Sequence, residues 1–385
     1  MSPLRIGIDG EALRTPLSGV GQYVLQLCRE LETLWPDAQL FAYARLPADK
    51  LALPSARWTL RQEARAPLRR LPSFLWLKTR GAALCRRDRL DVFWAGRTLH
   101  PRLAAPVHTV CTVHDLNHLI VPDTMEAATL WSHRLWLRGD VARADCVLAN
   151  SHGTARRVRE RLQLAVHGVV LPGLTEAYRP LAESERQSAL AALATLGVTP
   201  PYLLSVATLE PRKNVELLFR AFVDLKRRGG LPGYSLVLAG ARGWQDEALA
   251  RTLRDAQAEG VVLPGFVPDA LMPALYAQAK ALVFPSRYEG FGMPVLEARA
   301  CGTRVVIANS PELREAGGAH AVVVEPNFEG VREGLRHAAR LPPLVEPGLA
   351  ERNSWRQRAA LLATLMLPRP GRAGATGAHR RAESS

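Results

Sequence analysis

Short apolar runs of strand length alternate with segments of helical periodicity along most of this chain, and no other feature restricts its fold as strongly. Runs such as RIGIDG, HTVCTVHD and CVLANS precede residue 180, and runs such as PYLLSVA, ALVFPS and RVVIA follow it. Strands that alternate with helices form parallel sheets with helices on both faces. The predicted fold class is therefore α/β.

The alternation occurs in two cycles, separated by a polar, helix-prone bridge at residues 180–198. Two cycles in 385 residues predict two doubly wound, Rossmann-like domains, 1–180 and 181–348, facing a central cleft. Ligands of such sheets bind beyond the carboxyl ends of the strands, so the cleft is the expected active site. Residues 368–385 are rich in Pro, Gly and Arg, and are predicted to be disordered.

The composition, 48% hydrophobic and 22% charged, is typical of a soluble globular protein. No apolar run approaches the ~18–20 residues that a transmembrane helix needs, and the first residues do not resemble a secretion signal. The five cysteines are scattered and never in C-x-x-C spacing, which argues against disulfides and zinc and favours a reducing cytoplasm.

A formal net charge of +14 suggests a polyanionic or anionic-membrane partner. The charge is concentrated in residues 57–89, which contain ten basic residues and two acidic ones. Apolar residues are interleaved with them (Trp58, Phe74, Leu75 and Trp76). Such a segment can lie on an anionic membrane. The alternative, a solvated helical face with its apolar side in the core, stays open at this stage. Nucleic acid is not an expected partner, because no recognition module is present.

The stretch RYEGFGMPVLE, residues 287–297, places two carboxylates around a glycine turn directly after a predicted strand. Gly290 and Gly292 allow a close approach of the backbone to a ligand, and the helix that follows offers its N-terminus to an anion such as a diphosphate. Glu289 is placed to accept hydrogen bonds from sugar hydroxyls, and Glu297 from the two hydroxyls of a ribose. The alternatives are a loop charge at Glu289 and compensation of the helix dipole at Glu297.

The stretch TLEPRKN, residues 208–214, places Arg212 and Lys213 where another strand leads into a helix. A guanidinium and an ammonium side by side suit a diphosphate, and a bound anion would explain cations at a helix start. A solvated turn is the alternative.

Two weaker signals lie in the first half of the chain. Gly19 and Gly21 stand between the first strand and the first helix, where a simple tight turn is equally compatible. His114 ends a strand, where an imidazole can hydrogen-bond a sugar hydroxyl or a phosphate oxygen, or serve a structural role. No D-x-D sequence occurs, so a metal bridge to the diphosphate is not indicated and fixed positive groups would have to stabilise the leaving nucleotide.

The chain resembles the retaining GT-B glycosyltransferases of family 4, also called the glycosyltransferase group 1 family, over nearly all of residues 3–367. The most specific motif, FPSRYEGFGMPVLEARACGTRVV, is similar to that family's E-x₇-E signature. Six further stretches match in order: SGVGQYV, TVHDL, ADCVLANSHGTARRV, VVLPGL, TLEPRKN and NSWRQRAALLATLM. The last resembles the family's helix that crosses back onto the N-terminal domain, here 349–367.

The resemblance implies an acceptor-binding N-terminal domain and a nucleotide-sugar-binding C-terminal domain, in a metal-independent hexosyltransferase that needs no cofactor. By this resemblance, Glu297 would bind the donor ribose, and Arg212 and Lys213 would bind the diphosphate. Glu289 and the backbone of Gly290, Phe291 and Gly292 would bind the transferred sugar. Gly19 and Gly21 would face the phosphate or the acceptor, His114 would contact the donor sugar, and backbone near residues 265–267 would meet the base. The departing phosphate would assist deprotonation of the acceptor, without an enzyme nucleophile.

One departure concerns the diphosphate contact. Many members carry another arginine six positions before the motif lysine, where this chain has Ala207. The two remaining cations would act alone, or Arg287 would assist.

The motif style is similar to that of mannosyl- and rhamnosyltransferases of bacterial surface polysaccharide synthesis, such as that of O-antigen or exopolysaccharide. It implies a GDP-linked donor, a lipid-linked or polysaccharide acceptor, and a cytoplasmic enzyme peripheral to the inner membrane through residues 57–89. A UDP-sugar donor and a non-catalytic sugar-nucleotide-binding protein are the alternatives.

Overall fold

The computed structural model describes residues 3–103, 106–240 and 247–368. These residues form two sheets in which every pair of neighbouring strands is parallel, as the predicted α/β class requires. Residues 369–385 of the predicted disordered segment lie outside the described residues.

The first sheet has seven strands in the order β3-β2-β1-β4-β5-β6-β7. Their bounds are β1 (Arg5–Asp9), β2 (Gln39–Ala44), β3 (Trp58–Gln62), β4 (Val92–Ala95), β5 (His108–Val113), β6 (Cys146–Ala149) and β7 (Gly168–Val169). The strand order reverses between β1 and β4, so a ligand crevice is expected beyond their carboxyl ends.

The second sheet has six strands in the order β10-β9-β8-β11-β12-β13. Their bounds are β8 (Tyr202–Val206), β9 (Ser235–Ala239), β10 (Val261–Gly265), β11 (Ala281–Phe284), β12 (Arg304–Ala308) and β13 (Val322–Val324). Here the order reverses between β8 and β11, the same topology as in the first sheet.

The helices of the first half are α1 (Gly19–Leu34), α2 (Ala66–Arg69), α3 (Ser73–Trp76), α4 (Ala82–Arg87), α5 (Asn117–Ile120), α6 (Ala127–Arg143) and α7 (His152–Arg157). Those of the second half are α8 (Glu183–Ala194), α9 (Val215–Arg227), α10 (Glu247–Ala258), α11 (Met272–Ala277), α12 (Met293–Ala300), α13 (Pro311–Gly317), α14 (Phe328–Ala338), α15 (Leu349–Arg352) and α16 (Trp355–Met366). None of the described helices has the length and hydropathy of a membrane span.

Local sequence explains why α1 starts and which face it buries. Its cap, Ser18, accepts a hydrogen bond from the N–H of Gly21 at 3.1 Å, which satisfies one of the free donors of the first turn. Val24, Leu27 and Leu31 recur at helical spacing and are buried in the core of the first domain.

The last helix belongs to the core of the first domain, although it follows the second domain in sequence. Trp355, Leu362 and Met366 of α16 are buried in the same cluster as Tyr23 and Leu27 of α1. The ring of Trp355 packs edge-on against that of Tyr23, with centroids 5.9 Å apart. The chain therefore crosses between the domains a second time before it ends.

The two domains also touch directly. The guanidinium of Arg157 in α7 donates to the carboxylate of Glu312 in α13 at 2.6 Å, and Glu312 is fully buried. The hydroxyl of Tyr288, from the second domain, accepts a hydrogen bond at 3.0 Å from the backbone N–H of Leu116 in the first. These contacts hold the carboxyl ends of the two sheets against each other.

Candidate active site

Two cations and one carboxylate meet where the strand order of the second sheet reverses. Arg212 and Lys213 follow β8, and Glu289 follows the neighbouring strand β11. Arg212 Nη1 lies 2.8 Å from Glu289 Oε2, and Lys213 Nζ lies 2.7 Å from Glu289 Oε1. Each carboxylate oxygen is thus paired with a different cation. We refer to these three residues as the charge cluster.

The charge cluster keeps Glu289 ionised in spite of its burial. Burial alone would raise the pKa of this carboxyl, but the attraction of Lys213 and Arg212 outweighs it and lowers the pKa to about 2. The sequence predicts that the two cations bind a diphosphate and that the acid binds a sugar. The structure brings all three together, so a diphosphate would meet cations already turned towards this carboxylate.

The glycine turn after Glu289 packs directly against the first domain. A Cβ on Gly290 would lie 2.0 Å from the backbone oxygen of His114, so only glycine fits there. Gly292 has a φ of 105°, in the left-handed region that favours glycine, and precedes α12. The side chain of Phe291 is buried in the core, so only its backbone is available to a ligand.

Glu297 lies in α12, away from the cations that hold Glu289. Its Oε2 accepts a hydrogen bond of 2.7 Å from the hydroxyl of Tyr276, a buried residue of α11. Burial raises the pKa of Glu297 to about 7, the Tyr276 hydrogen bond opposes the shift, and the charge of Asp269 adds to it. This carboxyl is placed to titrate near neutral pH.

His114 directly follows β5 and faces the glycine turn from the first domain. Its Nε2 lies 2.6 Å from the backbone oxygen of Gly96 and must be the donor, which leaves Nδ1 as the acceptor of the ring. Burial lowers the pKa of the imidazole, so it is neutral at pH 7. A neutral ring with a free acceptor suits a hydroxyl.

Gly19 and Gly21, the two candidate glycines of the first domain, have different surroundings. A Cβ on Gly19 would meet nothing within 4 Å, so the surface in front of it is open to a ligand. On Gly21 it would lie 2.7 Å from the backbone oxygen of Ala12, and the N–H of Gly21 already bonds Ser18. The structure gives Gly21 a packing reason, and its contact with a donor stays a prediction.

Arg287 does not join the charge cluster. Its guanidinium pairs with Asp123 of the first domain at 2.9 Å, and the side chain is 41% exposed. This pairing does not support the suggestion that Arg287 takes the place of the arginine missing at position 207.

The basic segment 57–89 packs two of its aromatic residues into the core. It begins with strand β3, and Trp58 and Trp76 are buried in the core, where their indole N–H groups bond Glu32 and Glu63. For these two aromatics the alternative, an apolar side packed into the core, is correct. Exposed basic residues remain: Arg57, Arg65, Arg69, Arg70, Arg86, Arg87 and Arg89.

Sequence analysis missed the residues that connect the two domains behind the charge cluster. Arg157 lies over the ring of Tyr288, 5.1 Å from its centroid, and Tyr288 directly precedes Glu289. The hydroxyl of Thr154 donates to the backbone oxygen of Gly290 at 3.1 Å. The motif ADCVLANSHGTARRV carried the signal, but sequence alone does not tell which of its residues face the partner domain.

Family models match both halves of the chain. The model described as Glycosyltransferase Family 4 matches residues 17–173, and the model described as Glycosyl transferases group 1 matches residues 194–359.

Several curated proteins are similar in sequence. The O-antigen chain mannosyltransferase B of Escherichia coli is 30% identical over 351 residues, which cover 84% of this chain and 87% of that enzyme. The serotype-specific mannosyltransferase WbdA of Escherichia coli is 32% identical over 58% of this chain and 28% of its own length. The GDP-mannose-dependent alpha-(1-6)-phosphatidylinositol monomannoside mannosyltransferase of Mycolicibacterium smegmatis is 31% identical over 43% of this chain and 47% of its own.

Solved structures share the fold. Sucrose-phosphate synthase from Thermosynechococcus elongatus superposes with a TM-score of 0.72 at 17% identity, covering 94% of this chain and 98% of that one. WaaG, a glycosyltransferase involved in lipopolysaccharide biosynthesis, gives 0.65 at 15% identity, covering 94% and 95%. These neighbours confirm the predicted GT-B fold of two α/β domains.

Proposed function

This chain belongs to glycosyltransferase family 4, the group 1 glycosyltransferases, and is a hexosyltransferase of polysaccharide biosynthesis; from that premise we propose that it moves mannose from GDP-mannose to a lipid-linked or polysaccharide acceptor of a bacterial surface polysaccharide, with retention of the anomeric configuration. Rhamnose as the transferred sugar and UDP as the nucleotide are the alternatives that the test below separates.

The observation that carries the proposal is the charge cluster. Arg212 and Lys213 follow β8, and Glu289 follows the adjacent strand β11, at the topological switch point where open α/β sheets bind ligands. A guanidinium and an ammonium match the charge of a diphosphate, and α12 begins three residues after Gly290. In a low-dielectric cleft such fixed cations stabilise a leaving diphosphate without a metal.

We propose the following reaction, in which these groups take the roles that the resemblance implies. The bond between the anomeric carbon and the diphosphate oxygen breaks, and its electron pair stays on that oxygen, next to Arg212 and Lys213. The acceptor hydroxyl attacks from the same face, and its proton passes to the departing phosphate oxygen as the glycosidic bond forms. Glu289 and His114 Nδ1 accept hydrogen bonds from the hydroxyls of the transferred sugar, and Glu297 accepts from the ribose.

Mannose and GDP are favoured by the relatives. Three mannosyltransferases are among them, and the name of one specifies GDP-mannose as the donor. The exposed ring of Phe266, 67% accessible at the end of β10, stands where the resemblance puts the base.

We extend the proposal to an anionic membrane surface. Helix α6 packs against the basic segment 57–89, because Lys78 pairs with Asp140 at 2.6 Å and the rings of Phe74 and Trp136 lie 5.1 Å apart. The outer face of α6 exposes Trp131 by 59% and Leu135 by 65%, beside the exposed Arg134 and Arg138. Apolar anchors on α6 and guanidinium groups on the segment together suit anionic lipid headgroups.

The donor is tested by thermal unfolding of the full chain with GDP-mannose, GDP-rhamnose, UDP-glucose, ADP-glucose and dTDP-rhamnose, followed by hydrolysis assays with and without EDTA. GDP-mannose is expected to raise the Tm most, since ligand binding stabilises the folded state by mass action, and EDTA is expected to change nothing. Lys213→Met is expected to lose the shift. A larger shift with UDP-glucose, or no shift with any donor, would contradict the proposal.

The membrane surface is tested by sedimentation with phosphatidylglycerol and phosphatidylcholine vesicles. Replacing Arg70, Arg86 and Arg87 with Ser is expected to reduce binding to the anionic vesicles roughly 100-fold, because each basic residue contributes about 1 kcal/mol. Equal binding to both kinds of vesicle, or no change in the triple variant, would contradict it. Arg69 is left intact, because it bonds the backbone of Glu63.

A further inference from the structure

The segment that carries Glu289 is held by the first domain as well as by the second. The residue before it, Tyr288, is buried, and its hydroxyl accepts a hydrogen bond of 3.0 Å from the N–H of Leu116. The residue after it is Gly290, whose backbone oxygen lies 3.1 Å from the hydroxyl of Thr154. Residues of the first domain thus fix both neighbours of the acid.

Arg157 of α7 contacts the same segment through an aromatic ring. Its guanidinium lies 5.1 Å from the centroid of the Tyr288 ring, and cation–π contacts strengthen as water is removed from a buried ring. Arg212 Nη1 donates to the backbone oxygen of Tyr288 at 3.0 Å and to Glu289 Oε2 at 2.8 Å. Tyr288 therefore connects Arg157 to the charge cluster.

A buried carboxylate fixes the direction of the Arg157 guanidinium. Glu312 in α13 is fully buried, and Arg157 Nε donates to its Oε1 at 2.6 Å, while Nη2 lies 3.4 Å from Oε2. The helices come this close because residue 153 is glycine: a Cβ on Gly153 would lie 2.7 Å from Glu312 Cγ. The pair leaves Arg157 little freedom to move away from the ring of Tyr288.

We infer that Arg157 is a positioning residue of the transfer reaction, which through Tyr288 holds Glu289 where this acid meets the hydroxyls of the transferred sugar. The inference rests on the proposed function for the role of Glu289. A small displacement of a group that orients a substrate lowers the rate steeply. We therefore expect that loss of Arg157 lowers kcat and leaves the binding of GDP intact, because Glu289 contacts the sugar and not the nucleotide.

The test removes the ion pair as a unit in the full chain. Arg157→Met alone would leave Glu312 buried without a partner, which can unfold the protein, whereas an apolar pair of similar volume usually keeps stability. In Arg157→Met/Glu312→Leu, kcat for GDP release from GDP-mannose, with octyl α-D-mannopyranoside as the acceptor, is expected to fall about tenfold. The Tm shift that GDP causes is expected to stay unchanged.

Arg61→Met/Asp88→Leu is the matched control. Arg61 also pairs with a buried carboxylate, at 2.8 Å, and also lies over a ring, 5.2 Å from the centroid of Phe41. It belongs to β3, the edge strand of the first sheet, and not to the cleft. This control is expected to keep the wild-type kcat.

A double-mutant cycle tests whether Arg157 acts through Glu289. If it does, adding Arg157→Met/Glu312→Leu to Glu289→Gln is expected to lower kcat by no more than about twofold further, since both changes act on one contact. A general loosening of the protein would instead lower kcat by the full factor in both backgrounds.

Hydrogen exchange gives a readout that needs no donor. The N–H of Leu116, which bonds Tyr288, is expected to exchange several-fold faster in Arg157→Met/Glu312→Leu and at the wild-type rate in the control. A wild-type kcat in that variant, a GDP Tm shift lost in it, or full additivity with Glu289→Gln would overturn the inference. A wild type that releases no GDP would refute the proposed function, and the exchange of Leu116 would then decide whether Arg157 holds the segment.

Discussion

Glu289 and Glu297 stand eight positions apart in one strand–turn–helix unit, and burial acts on both carboxyls in the same direction, against ionisation. Their pKa values nevertheless differ by about five units, about 2 against about 7. Glu289 faces two cations from a loop 76 residues earlier in the chain. Glu297 accepts a hydrogen bond from one neutral hydroxyl, and the charge of Asp269 raises its pKa further.

The contrast shows that the contacts each carboxyl makes with other elements, and not its position in the motif, decide its protonation state and its function. Glu289 stays charged across the physiological pH range, so it is a constant part of the electrostatics of the cleft. Glu297 gains and loses a proton near neutral pH, so its ability to accept two hydrogen bonds depends on pH. The predictions below test this contrast, beginning with the largest expected effect.

Removing the charge of Glu289 is expected to have the largest effect. In Glu289→Gln, Arg212 and Lys213 lose their carboxylate, which costs about 3–5 kcal/mol of unfolding free energy for a buried pair. Transfer is expected to fall by about 10²–10³-fold, because a preorganised contact to the transferred sugar is weakened. Urea unfolding and kcat measure the two effects. Glu333→Gln, in an exposed pair with Arg336, is the control that should change neither. Turnover at the wild-type rate would remove Glu289 from the mechanism.

The pH dependence of donor binding comes next. Because the pKa of Glu297 is raised from 4.5 to about 7, the folded chain holds this proton between those values. The contribution of Glu297 to stability is therefore present below pH 4.5 and is lost as the pH rises towards 7. Ribose binding needs the carboxylate, so donor affinity is expected to increase about tenfold from pH 6 to pH 8.

Glu297→Gln is the variant that isolates this effect. Isothermal titration with GDP-mannose at several pH values is expected to give a weaker but nearly constant Kd. A variant that keeps the tenfold dependence of the wild type would assign it to another group.

Tyr276→Phe is expected to have the smallest effect. It removes one hydroxyl, at a cost of about 1 kcal/mol of unfolding free energy. The hydrogen bond lowers the pKa of Glu297, so the midpoint of donor binding should move to higher pH. Tyr202→Phe is the matched control, because its hydroxyl donates to the backbone oxygen of Leu275 at 2.7 Å, and Tyr202 is not among the groups that shift the pKa of Glu297. Both variants should lose similar stability, and only Tyr276→Phe should shift the midpoint.

The α/β class and most strands could be predicted because buried parallel strands are continuous apolar runs. Strand β3 was missed, since Thr59, Arg61 and Gln62 leave it without an apolar run, and β13 was missed because three valines are too short a run. The motifs also predicted which loops carry the charge cluster, because both follow strands that end on the ligand side.

The pairings could not be predicted. Sequence shows that Arg212, Lys213 and Glu289 lie after strands, but only the strand order shows that those strands are neighbours. The contact of Tyr276 with Glu297 could not be predicted either, because a tyrosine at helical spacing looks like an ordinary core residue. Asp115 follows His114 directly, and nothing in the sequence tells that the first is open to the cleft and the second bonded to Gly96.

The return of α16 to the first domain has a consequence for how the protein is made. Residues 1–170 are synthesised long before Trp355, Leu362 and Met366, so the apolar face of α1 that these three residues cover stays exposed to solvent until α16 has been made. Domains usually fold in order as the chain emerges. Of the two domains, the one that is synthesised earlier completes its core later. A truncated protein that stops before residue 366 should therefore be prone to aggregation.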